Sequence, residues 1–209
     1  MGKVKFGKVK GVLQGIDVSN WQGSVNWPGH AEAGVAFAFA KATEGGDWTD
    51  KWFARNWNGM RESWLVCGAY HFARPKGDPV QHARHFLATI RSAGGLRRGD
   101  LIALDLETGD GLRPEQVARY ARRWCHHVER STGVRPFIYT FHSFANSGHC
   151  AGLGEHPLWI AGPEHARGRP AVPRPWNDWT IHQYAQSPVD RNVFHGTRKD
   201  LTKLGFHPR

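Results

Sequence analysis

An alternation of strand-like and helix-like segments is the feature that most constrains the fold of this chain of 209 residues. Short apolar stretches bounded by glycine or proline predict strands at residues 15–19, 35–42, 64–72, 100–106, 136–140, 157–161, 179–184 and 193–194. Helical patterns opened by a capping residue or a proline predict helices that begin at residue 27 and span residues 50–63, 78–93 and 114–130. Because strands and helices alternate, we expect a largely parallel sheet with crossover helices.

The alternation ends after the fifth predicted strand, beyond which no long helical pattern separates the strands. No linker, low-complexity segment or internal repeat divides the chain. The sequence therefore predicts one α/β domain over residues 15–209, with a sheet that is either closed or doubly wound. Residues 1–14, which include four lysines, are predicted to form a basic tail.

The charge balance is strongly basic, since 28 Lys and Arg residues against 18 Asp and Glu residues give a formal net charge of +10. A content of 40% hydrophobic and 22% charged residues is typical of a globular protein and excludes a disordered chain. No run of about 18 apolar residues occurs, so we expect no transmembrane helix and no membrane insertion. A basic surface attracts polyanions, which fits a nucleic-acid binder or an enzyme acting on a negatively charged polymer. No nucleic-acid motif supports the first interpretation.

The strongest candidate for chemistry is the predicted strand at residues 100–106, together with Glu107. Side chains alternate between the faces of a strand, so Asp105 and Glu107 share one face, with Cα atoms ~6.6 Å apart. Two like charges at a partly buried strand end raise the pKa of at least one carboxyl, which supplies a general acid beside an ionised carboxylate. Catalytic residues of α/β barrels lie at this end of the strands. Ordinary surface carboxylates, or acids held in ion pairs, would give the same pattern.

Asp17 is a third candidate, because an acid in the middle of a strand is disfavoured unless it has a role. It shares its face of the strand with Gly15 and Ser19, whereas its two neighbours form an apolar face. A buried polar network would explain it, and so would a third acid facing the same end of the sheet as Asp105. Aromatic residues also gather at strand ends, where they serve either the core or the apolar faces of sugars.

Cysteines and histidines give no sign of a metal or cofactor. The three cysteines allow at most one disulfide, and Cys67 is predicted to be a buried small apolar residue. His82 and His85, and the cluster at residues 125–127, lack a full set of metal ligands. No GxSxG elbow, GxGxxG motif or phosphate-binding loop occurs, so we expect neither a serine nucleophile nor a nucleotide cofactor.

Six blocks of sequence span about residues 15–195. They are GIDVSNWQG at 15–23, FAKATEG at 39–45, GAYHFARP at 68–75, ALDLET at 103–108, LWIAG at 158–162 and WTIHQYAQSPVDRNVF at 179–194. In order and spacing these blocks resemble glycoside hydrolase family 25, the Chalaropsis-type lysozymes or muramidases. The resemblance implies a modified TIM barrel in which five β/α units precede strands with few helices. The loss of helical pattern after the fifth strand agrees with that fold.

The resemblance also implies hydrolysis of the β-1,4 bond between N-acetylmuramic acid and N-acetylglucosamine in peptidoglycan, without metal or cofactor. By motif, Glu107 matches the family's proton donor, Asp105 its partner acid, Asp17 the acid of the first strand and Asp190 the acid near the last strand. The expected mechanism is retaining and substrate-assisted. Glu107 protonates the glycosidic oxygen, while Asp105 or Asp190 orients the substrate's N-acetyl group for attack on the anomeric carbon.

Four further residues resemble the walls of the family's cleft and are predicted to hold sugars: Tyr70, Trp159, Gln183 and Tyr184.

Lys41 and Glu44 also match a family block, and either a substrate contact or an ion pair at the barrel mouth would explain them. Gly162-Pro163 departs from the family pattern, which predicts a reshaped loop after Trp159 and an altered substrate preference rather than an altered reaction.

Three alternatives to a muramidase stay open at this point. One is a catalytically silent barrel that binds cell-wall glycan, and another is a glycosidase for a related N-acetylated glycan such as chitin. The third is the nucleic-acid binder. For the muramidase we expect a monomer whose partner is the anionic peptidoglycan wall and not nucleic acid. The predicted location is extracellular or at the cell wall, or cytoplasmic until lysis in the case of a phage lysin. No apolar signal-peptide core is visible at the N-terminus.

Overall fold

A computed structural model describes residues 11–208 of the protein. The strands are β1 Val12–Val18, β2 Val35–Glu44, β3 Trp48–Thr49, β4 Val66–Phe72, β5 Leu101–Asp105, β6 Phe137–Phe141, β7 Leu158–Ala161, β8 Ile181–Ala185 and β9 Asp190–His195. The helices are α1 Trp27–Glu32, α2 Phe53–Glu62, α3 Pro79–Ser92, α4 Pro114–Thr132, α5 His142–Phe144 and α6 Arg198–Lys203. A 3₁₀ turn at Asn20–Gln22 follows β1, and a π-helical turn at Ala145–His149 follows α5.

Eight of these strands close into a barrel. Strands β1, β2, β4, β5, β6, β7 and β8 pair in parallel in that order, and β9 closes the ring by pairing antiparallel to both β8 and β1. The short β3 pairs with the end of β2 as a hairpin. Because β1 contacts both β2 and β9, the sheet is closed, and the doubly wound alternative is excluded. The predicted modified TIM barrel is confirmed.

The predicted elements are all present, with shifted boundaries. β1 begins at Val12, so residues 12–14 of the predicted tail belong to the barrel. The prediction for residues 1–10 concerns a part of the chain outside the described residues. Helix α2 begins at Phe53 rather than at residue 50, because the Asp50 carboxylate accepts hydrogen bonds from the backbone N–H groups of Trp52 (2.8 Å) and Asn20 (2.7 Å) and so holds the preceding loop.

The second part of the barrel lacks long helices, as the sequence predicts. Within residues 11–208, the segment between β6 and β7 contains only α5 and the π-helical turn, and no helix lies between β7 and β9. The five β/α units are therefore followed by strands whose connections are loops. No helix in this described range is long and apolar enough to cross a membrane.

Two apolar layers follow from the alternation of side chains along each strand. On β5, Ile102 and Leu104 face outwards and pack under the helices with Trp124 of α4, while Leu101 and Ala103 face the barrel interior. All five side chains are fully buried or nearly so. Burying a large apolar side chain contributes about 1.5–3 kcal/mol, so both layers are needed for a stable barrel. The three cysteines are buried and unpaired, and Cys67 belongs to the outer layer as predicted.

Aromatic rings fill the inner layer below the carboxyl ends of the parallel strands. The rings of Phe39 and Trp159 lie 4.4 Å apart between centroids. Gly15 and Gly68 leave room for the rings of Phe37 and Phe39, because a Cβ atom at either glycine would overlap those rings. The barrel is thus a filled core rather than a channel, and its upper aromatic ring, Trp159, forms the base of an open pocket.

Candidate active site

The open pocket at the carboxyl ends of the parallel strands contains all four predicted acids, Asp17, Asp105, Glu107 and Asp190. Its other lining residues are polar or aromatic: Ser19, Trp21, Gln22, Lys41, Tyr70, Phe72, Tyr139, Trp159, Gln183 and Gln186. The location is the one at which α/β barrels place their catalytic groups.

Strand register brings the acids of the first and last strands together. Asp17 on β1 lies opposite Asp190 on the antiparallel β9, and Asn192 on β9 lies opposite Gly15 and Gln183. Paired residues of neighbouring strands share a face of the sheet, so all of these side chains face the barrel interior. Residues that are more than 160 positions apart in the sequence thereby come within hydrogen-bond distance of each other.

Asp17 is buried and held by two amides. The side-chain N–H groups of Asn192 and Gln183 donate to its Oδ2 at 2.7 and 2.9 Å. Burial, followed by the charge of Asp190, raises the pKa of Asp17 to about 7, although the two amides oppose the shift. Burial also raises the pKa of Asp190. The two carboxyls therefore bind protons as a coupled pair. Both explanations left open for Asp17 are correct: it faces the pocket and belongs to a buried polar network.

Asp105 and Glu107 form the second pair of acids. Strand β5 ends at Asp105, but the Leu106 N–H still donates to the Tyr139 carbonyl at 2.9 Å, which continues the alternation as far as Glu107. Burial and the nearby charge of Glu107 raise the pKa of Asp105 well above its usual range. Burial also raises the pKa of Glu107, while Lys41 and Arg74 oppose that shift. The pKa values of both carboxyls are raised, which agrees with the prediction that this pair keeps a proton.

An ion-pair network borders the pocket beside these acids. Lys41 Nζ lies 2.7 Å from Glu44 Oε2, and Arg74 Nε donates to Glu44 Oε1 at 2.8 Å. A register shift between Lys41 and Thr43 on β2 turns Thr43 outwards and places Glu44 on the inner face with Lys41. The ion-pair explanation for Lys41 and Glu44 is therefore correct, and Lys41 in addition lines the pocket.

Three of the four predicted sugar-binding residues line this pocket: Tyr70, Trp159 and Gln183. Trp159 is only 1% exposed and donates its Nε1–H to Asn192 at 2.8 Å. It therefore forms the base of the pocket and is not an exposed side wall. Gln183 holds Asp17 through its amide.

The structure does not bring Tyr184 to the pocket, in contrast to the prediction. Ile181 and Gln183 face the barrel interior, so Tyr184 lies on the outer face of β8, where its hydroxyl donates to Gln14 at 3.2 Å. Arg167 and Arg191 lie over its ring. Its position next to Gln183 in a family block was the signal for the prediction, and strand alternation argues against it.

Several residues of the site were missed in the sequence. Asn192 lies two positions after Asp190 and so on the same face of β9, a spacing that could have revealed it. Tyr139 has the equivalent signal on β6, and its hydroxyl donates to Gln183 at 3.0 Å. Trp21, which is 87% exposed at the rim of the pocket, has no such signal because it lies in a turn.

A second pocket adjoins the first and shares Glu107, Tyr139 and Gln186 with it. Its remaining lining residues are Phe141, His142, Ser143, Ala161, Pro163 and Glu164. The two pockets form one cleft with Glu107 at their junction. Pro163, in the segment that departs from the family pattern, contributes to the wall of this second part.

Within the described chain, no three His, Cys, Asp or Glu side chains gather in a way that could hold a metal ion. Of the histidine pair considered in the sequence, His82 is buried and its Nδ1 lies 2.8 Å from the Tyr120 hydroxyl. His85 Nε2 lies 3.2 Å from the Thr49 hydroxyl. Both histidines therefore have structural partners.

Comparisons with known proteins agree with this geometry. Residues 16–193 match the model of Glycosyl hydrolases family 25. The chain belongs to this family. It is 32% identical to lysozyme M1 of Streptomyces globisporus, over 92% of this chain and 71% of that protein. It is 30% identical to the N,O-diacetylmuramidase of Chalaropsis sp, over 92% and 98% of the two chains.

The solved structure of a bacterial lysozyme from Streptomyces coelicolor superposes with a TM-score of 0.82 at 33% identity, covering 92% of this chain and 96% of that one. The protein is therefore a glycoside hydrolase of the family 25 lysozyme type.

Proposed function

We propose that this lysozyme hydrolyses the β-1,4 bond between N-acetylmuramic acid and N-acetylglucosamine in bacterial peptidoglycan, with Glu107 as the general acid. The observation that supports this most directly is the position of Glu107 at the junction of two adjoining pockets. A glycosidic oxygen that joins sugars in the two pockets would lie beside its carboxyl group. The raised pKa of Glu107 keeps the proton available for donation.

In the first step, Glu107 transfers its proton to the glycosidic oxygen while the bond from that oxygen to the anomeric carbon breaks. The carbonyl oxygen of the muramic acid's own acetamido group attacks the anomeric carbon and forms a cyclic oxazolinium ion. In the second step, Glu107 removes a proton from water, and the water oxygen attacks the anomeric carbon and reopens the ring. Two inversions give retention of configuration, and Glu107 regains its proton.

The other acids orient and stabilise this reaction. Asp105 is buried, lines the pocket, and its Oδ1 has no hydrogen-bond partner within the described residues. A buried acceptor without a partner is costly, so it is suited to receive the acetamido N–H of the bound sugar. Asp190, which lines the same pocket, is the other candidate for this role. Asp17 and Asp190 together place negative charge beside the positive charge that develops on the sugar.

We further propose that the protein acts as a monomer on the wall, outside the cell or after release from it. The formal net charge of +10 supports attraction to an anionic wall polymer.

Product analysis of purified peptidoglycan tests the reaction. We expect new reducing ends on muramic acid from the wild type and a loss of roughly 10²–10⁴-fold in kcat for Glu107→Gln, because the proton donor is removed. The matched control is Glu62→Gln, an exposed residue at the end of α2, which lies at the opposite end of the barrel from the pocket.

New reducing ends on glucosamine would keep a glycosidase but contradict the assigned bond. No cleavage by any of the three proteins would favour the silent glycan-binding barrel. Near-wild-type activity of Glu107→Gln would overturn the role of Glu107.

A further inference from the structure

Trp21 is an exposed tryptophan on a backbone that is held in place. It is 87% exposed. The 3₁₀ turn that contains it is fixed by reciprocal bonds between Ser19 and Gln22, and the Asn20 N–H donates to Asp50 at 2.7 Å. The turn is therefore tied both to β1 and to the loop before α2, while the indole projects into solvent.

Exposure alone does not mark a binding site, since single exposed apolar side chains are common. Trp64 shows this, because it is 83% exposed and lines neither part of the cleft. Trp21 differs because its side chain borders the same pocket as the four acids, four residues after Asp17. A flat aromatic face beside a polar pocket is suited to stacking on the apolar face of a sugar ring.

The position of Glu107 gives the cleft a direction. A general acid lies beside the bond that it protonates, between the sugar that keeps the anomeric carbon and the leaving sugar. Asp17, Asp105 and Asp190, which stabilise the first of these sugars, line the first pocket only. Phe141 and the residues that accompany it in the second pocket therefore face the leaving sugar. Trp21 lies in the first pocket, on the side of the sugar that keeps the anomeric carbon.

We propose that Trp21 is the stacking platform for the N-acetylglucosamine that precedes the cleaved muramic acid, at subsite −2. This inference rests on the proposed function. Subsite −1 is the pocket of the four acids, and Trp21 borders that pocket but not the one that faces the leaving sugar. N-acetylglucosamine carries no lactyl-peptide group at its 3-position, so its ring face is free to lie on an indole. Recognition at subsite −2 would make the enzyme favour glycans that continue past the cleaved muramic acid on its non-reducing side.

Two soluble glycans separate the contribution of this subsite from that of the catalytic pocket. The tetrasaccharide GlcNAc-MurNAc-GlcNAc-MurNAc fills subsite −2 when its central bond is cleaved, whereas the trisaccharide MurNAc-GlcNAc-MurNAc leaves that subsite empty. For the wild type we expect kcat/KM to be roughly tenfold higher for the tetrasaccharide, as one aromatic–sugar contact would provide. For Trp21→Ala we expect this ratio to fall to about one, with the loss mainly in KM.

Two further variants make the result specific. Trp21→Phe retains an aromatic face and should keep a ratio between those of the wild type and Trp21→Ala. Trp64→Ala removes the other highly exposed tryptophan and should keep the wild-type ratio. A wild-type ratio in Trp21→Ala would overturn the proposal, and so would an equal loss in Trp64→Ala. Failure of the wild type to cleave either glycan would instead contradict the proposed function.

Discussion

The two pairs of acids in the cleft are alike in burial but differ in their partners. Asp17, in the pair with Asp190, receives two amide N–H donors on one carboxylate oxygen, at 2.7 and 2.9 Å. Asp105, in the pair with Glu107, is similarly buried, yet its Oδ1 has no hydrogen-bond partner among the described residues. The protein itself thus supplies hydrogen-bond donors to Asp17, whereas Asp105 Oδ1 can still accept a hydrogen bond from a ligand.

The difference in hydrogen-bond partners indicates that the two pairs of acids have different roles. A carboxyl group held by fixed donors keeps its position, and when it is ionised it places negative charge at a fixed point in the pocket. A buried carboxylate with an unused acceptor gains most when a substrate N–H or O–H completes its hydrogen bonds. We therefore assign positioning and charge stabilisation to Asp17 and direct contact with the reacting groups to Asp105 and Glu107.

Replacement of Asp105 by Asn should lower kcat by roughly 10²–10³-fold with little change in KM, because its contact strengthens as charge develops on the acetamido group. Steady-state hydrolysis of peptidoglycan measures the effect. Asp178→Asn, at an exposed position outside both pockets, is the matched control. A loss confined to KM would show that Asp105 binds the substrate without stabilising the transition state.

Replacement of Asn192 by Ala should lower kcat about tenfold, since Asp17 loses one fixed donor and Trp159 loses its acceptor. Both effects act through position rather than through direct contact with the reacting atoms. Combination with Asp17→Asn should therefore be strongly non-additive. Fully additive losses in this double-mutant cycle would contradict the positioning role.

Replacement of Lys41 by Met should move the basic limb of the pH–activity profile upwards by roughly one pH unit. The Lys41 charge lowers the pKa values of both Asp105 and Glu107, so its removal lets the acid keep its proton to higher pH. Glu44 retains Arg74 as a partner, which limits the structural change. A basic limb that stays in place or moves to lower pH would rule out this electrostatic role.

Replacement of Asp17 by Asn should change how stability depends on pH. The pKa of Asp17 is raised to about 7 in the folded state, so between pH 4 and 7 the folded protein binds more protons than the unfolded chain. Its contribution to the free energy of unfolding therefore falls as pH rises, by at most about 1.4 kcal/mol per pH unit. The substituted amide has no charge to bury, so the Tm of the variant minus that of the wild type should increase by up to about 10 °C from pH 4 to pH 7.

The control for this measurement is Asp200→Asn. The Thr197 hydroxyl and backbone N–H lower the pKa of exposed Asp200 to about 2, below the range examined. Above about pH 5 this carboxyl is ionised in both the folded and the unfolded chain, so the Tm difference of Asp200→Asn from the wild type should stay constant between pH 5 and 7. A constant difference for Asp17→Asn as well would contradict the raised pKa of Asp17.

Much of this architecture follows from local pattern. The alternation of side chains along β5 predicted that Asp105 and Glu107 share a face, and the loss of helical pattern after residue 140 predicted the loops of the second half. Asp17 stood out because an acid in the middle of a strand is disfavoured, and Asp105 because it shares one face of a strand end with Glu107. Tyr184 shows the limit of motif matching, since its place in a family block says nothing of the face on which it lies. Strand alternation from Gln183 decides that.

The order of strands and helices follows from the sequence alone, because periodicity and capping act over a few residues. The sequence also predicted which four acids line the pocket, because the family blocks contain them. Which side-chain atoms come into contact depends on the way the strands pair in three dimensions. Antiparallel closure by β9 joins Asp17 to Asn192 and Gln183, and the register shift on β2 turns Glu44 towards Lys41. Pairing across the barrel depends on register between strands distant in sequence, and one residue of shift reverses the face of every side chain that follows.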